Sequence, residues 1–464
     1  MPLESVIRGH KMHTRMFRNG SAMILCMILL VVLSTLAVGL ASMANGNLQI
    51  AANQQTANEA FANAESGLEV MRYWLARVKM PSSTPPADYF KTIIDAVASD
   101  LQASGVTNFE VNKDGSIPPV ALHEDGQVFY GQWQAHPGDA NVVQVRAVGV
   151  SGTVSRAIAV QFYVEPYRFP IFNYGVATKG ALRFPRNPTL TGSTENWEAD
   201  IYIDSPGDLL ALQVGGNANF DGDIDIGNPL ATVDFGGDVQ IGGDGGQAAI
   251  DNHITVGADR VEFPVPDLSG FPQYATGPVL DPNTDLSNSM TLVNAVIPAG
   301  RNPTFLGNII IQGILLIEQP NIVTFTRNVQ LQGLIVADGD AQNPGTNSIT
   351  FCGNFASSDY PADAKFDAVR QEVGSSILAP GFGVSFVGNF ASVNGVMAAS
   401  SLYFASNASA VVKGTMISYS PDATVVDGNI SMDFDRADAV EIPAGFDLLR
   451  VLNYDADSYT VEFQ

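Results

Sequence analysis

SAMILCMILLVVLSTLAVGLASMA (residues 21–44) decides the architecture, because it is an unbroken apolar run without a single charge. As a helix rising 1.5 Å per residue it reaches about 36 Å, against about 30 Å for the hydrocarbon core of a bilayer. The stretch therefore reads as a membrane-spanning helix. Arg8, Lys11, Arg15 and Arg18 precede it against Glu4 alone, a basic flank that stays on the cytoplasmic side. The helical pattern does not stop at the membrane. No charged residue occurs from 19 to 58, and Phe61, Ala64, Leu68, Met71 and Leu75 then recur at three- and four-residue steps until Pro81. The expectation is a helix of about 59 residues, roughly 90 Å long, half in the bilayer and half beneath a folded head. Two plainer readings stay open. One is a signal-anchor; the other is a secretory signal cut after Ser42-Met43-Ala44, although the apolar run exceeds the about 7–15 residues of an h-region.

Gly20 followed by Ser21-Ala22-Met23-Ile24-Leu25, and then Ala60-Phe61-Ala62-Asn63-Ala64-Glu65-Ser66-Gly67-Leu68-Glu69, carry a resemblance. Together they are similar to the N-terminal region of PilX-type minor pilins of type IV pilus assembly systems. The resemblance implies a leader (1–20) removed by a prepilin peptidase after Gly20, with Ser21 as an N-methylated mature terminus. It implies a transmembrane and extended helix (21–80) that sits in the inner membrane before assembly, with other pilins and minor pilins as partners in an extracellular filament. Glu65, Gly67 and Glu69 are the matched motif positions. One position departs from the pattern. Major pilins carry a glutamate at the fifth mature position, where it neutralises a neighbour's terminal amine, and here that position is Leu25. An unpaired ammonium is costly in hydrocarbon, so a subunit without the carboxylate fits a filament tip; low-abundance insertion along the shaft fits as well.

The formal charge of −24 speaks against nucleic acid and anionic membrane surfaces as partners. Cys26 lies in the apolar run and Cys352 far downstream, so no disulfide within the chain is expected, and the five histidines show no zinc-ligand spacing. Pro81, Pro85 and Pro86 break the long helix, and residues 81–165 read as a small α+β head. An amphipathic helix over 88–103 presents Phe90, Ile93, Ile94, Val97 and Leu101 on one face. Strands at 127–134, 142–150 and 154–164 follow as an antiparallel meander, with Ser151-Gly152 as a hairpin turn.

From 166 onward the texture turns to short β-rich runs, and no Lys or Arg occurs from 187 to 259. Ile309-Ile310-Ile311-Gln312-Gly313-Ile314-Leu315-Leu316-Ile317 is echoed 20 residues later by Val329-Gln330-Leu331-Gln332-Gly333-Leu334-Ile335-Val336. Val393-Asn394-Gly395-Val396-Met397 and Val412-Lys413-Gly414-Thr415-Met416 form a second pair, 19 apart. Such a period, with glycine between β-branched runs, predicts a right-handed parallel β-helix (solenoid) over 166–445, of roughly 14 coils. A β-sandwich with several hairpins fits the same runs. The alternating runs in 446–464 predict a C-terminal hairpin that caps the solenoid. The fold class is thus α+β: a long N-terminal helix, a small helix-plus-antiparallel-sheet head, and a mainly-β solenoid.

Asp221-Gly222-Asp223-Ile224-Asp225 alternates three carboxylates as a calcium loop begins, but Ile226 and Thr232 stand where an EF-hand needs glycine and glutamate. Asp221, Asp223 and Asp225 are therefore the one calcium candidate. No nucleophile elbow, zinc-protease helix or phosphate loop is present, and no catalytic residue is nominated. The sequence predicts a non-enzymatic subunit that serves assembly priming or adhesion and meets a glycan or another surface ligand through the solenoid. The alternative is a membrane-anchored or secreted β-helix protein that binds carbohydrate or degrades polysaccharide.

Overall fold

The computed structural model describes residues 19–122, 127–341, 344–405 and 409–463, so residues 1–18 of the expected leader lie outside the described part. The chain divides into two compact units. One comprises 1–79, 85–164 and 452–464, the other 80–84 and 165–451.

In the first unit the long helix runs without interruption over Asn19–Leu75. A second helix, Tyr89–Ala103, buries Ile93, Ile94, Val97 and Leu101 as the spacing dictates, but Tyr89 completes the stripe and Phe90, expected on it, is half-buried. The six-stranded sheet runs in the order Lys79–Pro81, Leu449–Phe463, Val154–Pro166, Asp139–Ser151, Val128–His136 and Ser116–Ala121. The third to fifth of these form the expected meander, and Ser151 pairs Val154 across a turn with Gly152 at φ +57°. Ser116–Ala121 was not legible because it contains Pro118-Pro119. Proline cannot donate to a ladder, and this strand accordingly lies at the sheet edge with a register shift between Ile117 and Val120.

The C-terminal segment corrects an expectation. It is one strand, Leu449–Phe463, not a hairpin, and from Leu452 onward it belongs to the first unit rather than capping the second. The two alternating runs look separate in the sequence because Asp455 turns the chain locally without ending the strand. Its carboxylate accepts from Asp457 N at 3.0 Å, and its carbonyl accepts from Ser458 Oγ at 2.6 Å.

The second unit is built from strands in parallel register, arranged as three ladders. Each circuit of chain adds a strand to each ladder in turn. The first ladder links Met290 to Ile309, Val329, Phe355 and Phe390. The second links Ala295, Leu315, Ile335, Ile377, Met397 and Met416. The third links Thr304, Thr324, Thr350, Ser385, Tyr403 and Val425. Between them lies a buried apolar core, and its most regular part is a column of phenylalanines. Phe305, Phe325, Phe351, Phe386 and Phe404 stack with centroids 4.9, 5.2, 5.1 and 5.2 Å apart and planes within 13° of parallel. At the corners, asparagines repeat the same logic in polar form. Asn328 N donates to Asn308 Oδ1 at 3.3 Å, and Asn354 N donates to Asn328 Oδ1 at 3.1 Å, so each side chain satisfies the turn above it.

The circuits do not stack in the order of the sequence. Val176 sits on Met416, Arg183 on Val425 and Thr189 on Ser431, and from there the stack continues through Ile201, Ile224 and Ile254. The chain thus enters the stack in its middle, climbs to one end at Ile254–Val256, and crosses through 257–289 to the opposite end. It then climbs from Met290 until Ser431–Phe434 meets the circuit where it began. Residues 257–289 carry no ladder strand, which leaves fewer levels than the 14 that length alone suggested. The lower edge is covered by 277–286: Gly277 N bonds Asn294 O and Leu280 N bonds Val296 O, both at 2.8 Å. This connector does the edge protection expected of the C-terminus.

Candidate functional site

From Met23 to Ile50 the large apolar side chains of the long helix are exposed within this chain, and Leu25, the position of the missing glutamate, is 72% exposed. The helix over Ala22–Leu75 is long and apolar enough to cross a membrane. By backbone, Gly20 and Ser21 fall in the first turn of the long helix Asn19–Leu75; the Ser21 side chain lies outside the described residues.

Burial begins at Ala60, where the helix meets the sheet of the first unit, and this explains the quoted motif. Ala60, Ala64, Leu68 and Met71 face the sheet. Close approach fixes two glycines. A Cβ on Gly67 would stand 2.5 Å from the Phe129 ring, and one on Gly149 would run into the backbone at Ala60 and Ala64. Two polar groups fasten the same contact. Asn63 Nδ2 donates to Val150 O at 2.8 Å, and Ser151 Oγ donates to Glu59 Oε2 at 2.9 Å. Of the matched positions, then, Gly67 is structural, whereas Glu65 and Glu69 are exposed, Glu69 with only a solvent-screened ion pair to Arg72 at 3.5 Å. Asn63 and Glu59 were missed as site residues; a polar residue on the apolar stripe was the available signal.

Asp221, Asp223 and Asp225 do not converge on a common point, and among the described residues no group of three or more His, Cys, Asp or Glu is arranged to hold a metal. Each carboxylate has its own partner: Gly192 N for Asp221 at 3.3 Å, His253 Nδ1 for Asp223 at 2.7 Å, and Tyr174 OH for Asp225 at 2.9 Å. A continuous strand would put positions 221, 223 and 225 on one face, but only Asp225 lies in the strand Ile224–Ile226; Asp221 and Asp223 sit in the bend before it, where each carboxylate turns to a different partner. The calcium reading is therefore corrected. What forms instead is a polar cluster. Asp200 accepts from Asp223 N at 2.8 Å, and burial, with Asp223 and Asp225 nearby, pushes its carboxyl up to about 7 against the pull of backbone donation and Arg436. His253 also approaches Asp244 at 3.4 Å, and hydrogen bonding to Asp223 raises its pKa.

No protein-family model matches the chain, and no curated protein does. Among solved structures the chain is similar to the competence-associated pilin ComZ from Thermus thermophilus, at 12% identity over 88% of this chain and 98% of that one, with a TM-score of 0.22. A likeness at that score carries no argument about fold or function.

Proposed function

We propose that this chain is a minor pilin or pseudopilin-like subunit of a type IV pilus-type filament, and that its second unit is a right-handed parallel β-helix displayed outside the cell. The observation that carries the reading is the division of one helix. Its first half exposes an uncharged apolar surface, and its second half is seated on an antiparallel sheet through Asn63, Gly67 and Gly149. That is the construction an insertion helix needs: a head held rigidly on one end, with the other end free for a bilayer and then for neighbouring helices. Right-handedness follows from the strong preference of parallel crossovers for that hand. Processing after Gly20 by a prepilin peptidase, PilX-type membership and a tip position favoured by Leu25 belong to the same reading. So does a non-enzymatic role in assembly priming or adhesion. Intact-mass and peptide mass spectrometry of the protein from its native host tests it. A mature chain beginning at Ser21 supports the reading, and one beginning at Asn45 overturns it.

A second reading, a membrane-anchored polysaccharide-degrading β-helix, draws on Asp200 and Asp223, adjacent carboxyls with different surroundings. Release of reducing ends from a neutral polysaccharide by the full chain, lost in Asp200→Asn, would favour it.

A further inference from the structure

The glycines that recur in the sequence at corner positions are required by the stacking, and they leave bare backbone behind. Gly333 has φ +154° and a Cβ there would collide with Gly313 O; Gly395 has φ +104° and its Cβ would stand 2.6 Å from Gly374 C. Over Gly333, Gly374 and Gly395 opens a groove of about 540 Å³ that runs across successive circuits of the second unit. Its walls come from the insertion between strands Phe355–Ser357 and Ser375–Phe386, and from the segment after Ser431–Phe434.

The chemistry of the walls narrows the ligand. Hydroxyls and an amide line much of it: Ser357, Ser358, Tyr360, Ser375 and Asn394. Asn394 is oriented from both ends, its N–H donating to Ser357 Oγ at 2.9 Å and its Nδ2 donating to Asp359 Oδ1 at 3.3 Å. The Tyr360 hydroxyl is buried with no partner among the described residues, a costly state that a polar group entering from the groove would relieve. Both cations in the lining are already engaged. Arg370 meets Asp367 Oδ1 at 2.7 Å and Pro361 O at 2.6 Å, and Lys413 meets Asp435 at 3.5 Å. Asp359, Glu372 and Asp438 add negative charge, so an anionic ligand is repelled. Val373 and Val440 stand exposed at the rim and offer apolar contact to a ring face. The circuits rise about 4.8 Å per level, close to the length of one pyranose unit.

We propose that this groove binds a neutral oligosaccharide, laid along the stack over Gly333, Gly374 and Gly395 and held by Asn394, Tyr360 and the serine hydroxyls. The site lies wholly within the second unit, so it stands or falls independently of the filament role. Isothermal titration of the full chain in detergent tests it, with cellotetraose, chitotetraose and maltotetraose as neutral probes and with tetragalacturonate and tetralysine as charged ones. Saturable binding of at least one neutral probe is expected, weakened about tenfold by Tyr360→Phe and by Asn394→Ala and unchanged by Gln144→Ala in the first unit. Tyr360→Phe removes only an unpaired hydroxyl, so it leaves folding intact. Failure of all three neutral probes, tighter binding of either charged probe, or equal affinity in Tyr360→Phe and Asn394→Ala would overturn the proposal.

Discussion

Glu198 is fully buried and yet charged, because its carboxylate accepts four backbone N–H groups: Thr194 at 2.7 Å, Glu195 at 3.1 Å, Arg436 at 2.9 Å and Ala437 at 2.8 Å. Burial pushes its pKa up, but the four donors outweigh it and hold the carboxyl below the usual range. Arg436 completes the network by donating to Glu198 O at 2.9 Å and Phe172 O at 2.6 Å, and burial lowers its own pKa to about 10. Glu198→Gln faces an amide NH₂ toward N–H groups and removes one of the two carboxylates, with Asp200, whose charge supports buried Arg436. It should cost about 3 kcal/mol in urea unfolding; a loss below about 0.5 kcal/mol would show that the network is dispensable. Asp200 has the opposite sign. Its pKa is raised to about 7, so the folded state holds a proton that the unfolded state has lost, and stability falls as pH rises from about 4 through 7. The raised His253 acts in the same direction, stabilising below its ordinary pKa and losing that contribution as pH rises through the folded value. Melting of the chain at pH 5.5 should therefore lie roughly 3–6 °C above that at pH 8, and Asp200→Asn should remove most of the difference. Equal melting temperatures in the parent chain would refute the assignment.

At the scale of elements, the phenylalanine column and the helix–sheet contact are the two places where shape rather than charge decides. Phe351 is sandwiched between Phe325 and Phe386 inside the stack, so Phe351→Ala opens a cavity with no solvent access. A loss of about 3–5 kcal/mol is expected by thermal unfolding. Gly149→Ala puts a methyl group into the helix backbone at Ala60, and about 1–3 kcal/mol should be lost; Gly138→Ala, whose Cβ meets only the His136 ring at 3.6 Å or more, should be neutral. What the sequence disclosed at this scale follows its periodicities. The long helix and the Tyr89–Ala103 helix announce themselves by three- and four-residue apolar spacing, and the circuits around Gly313 and Gly333 by their 20-residue echo. Ser116–Ala121 was hidden by its prolines, and the local bonds at Asp455 made the single strand Leu449–Phe463 read as two, because both carry turn-forming residues inside a strand. The groove was invisible for another reason: Tyr360, Asn394 and Lys413 belong to different circuits, and only the stacking of Gly333 and Gly395 brings their positions together.

At the scale of the molecule, the decisive fact is that the two runs of circuits are joined out of sequence order. A local repeat reports that circuits stack, not which circuit follows which, since Met416 on Val176 looks the same to a ladder as Met397 on Ile377. The junction has a thermodynamic consequence. The strands Val176–Thr178, Leu182–Phe184 and Thr189–Gly192 keep an open edge until Met416–Ser418, Thr424–Val426 and Ser431–Phe434 pair with it. In a stack held by nearest-neighbour contacts, such partners open together whatever their distance along the chain. Native-state hydrogen exchange of the full chain should therefore assign closely similar opening free energies to amides in 176–192 and 416–434, and glutamine in place of Glu198, which spans that junction, should lower both sets together. Segments close in sequence but at opposite ends of the stack, 254–256 and 290–297, should exchange independently and stay unmoved by the substitution. If 254–256 followed 290–297 while 176–192 and 416–434 separated, the circuits would have to stack in sequence order, and the junction at Met416 and Val176 would be wrong.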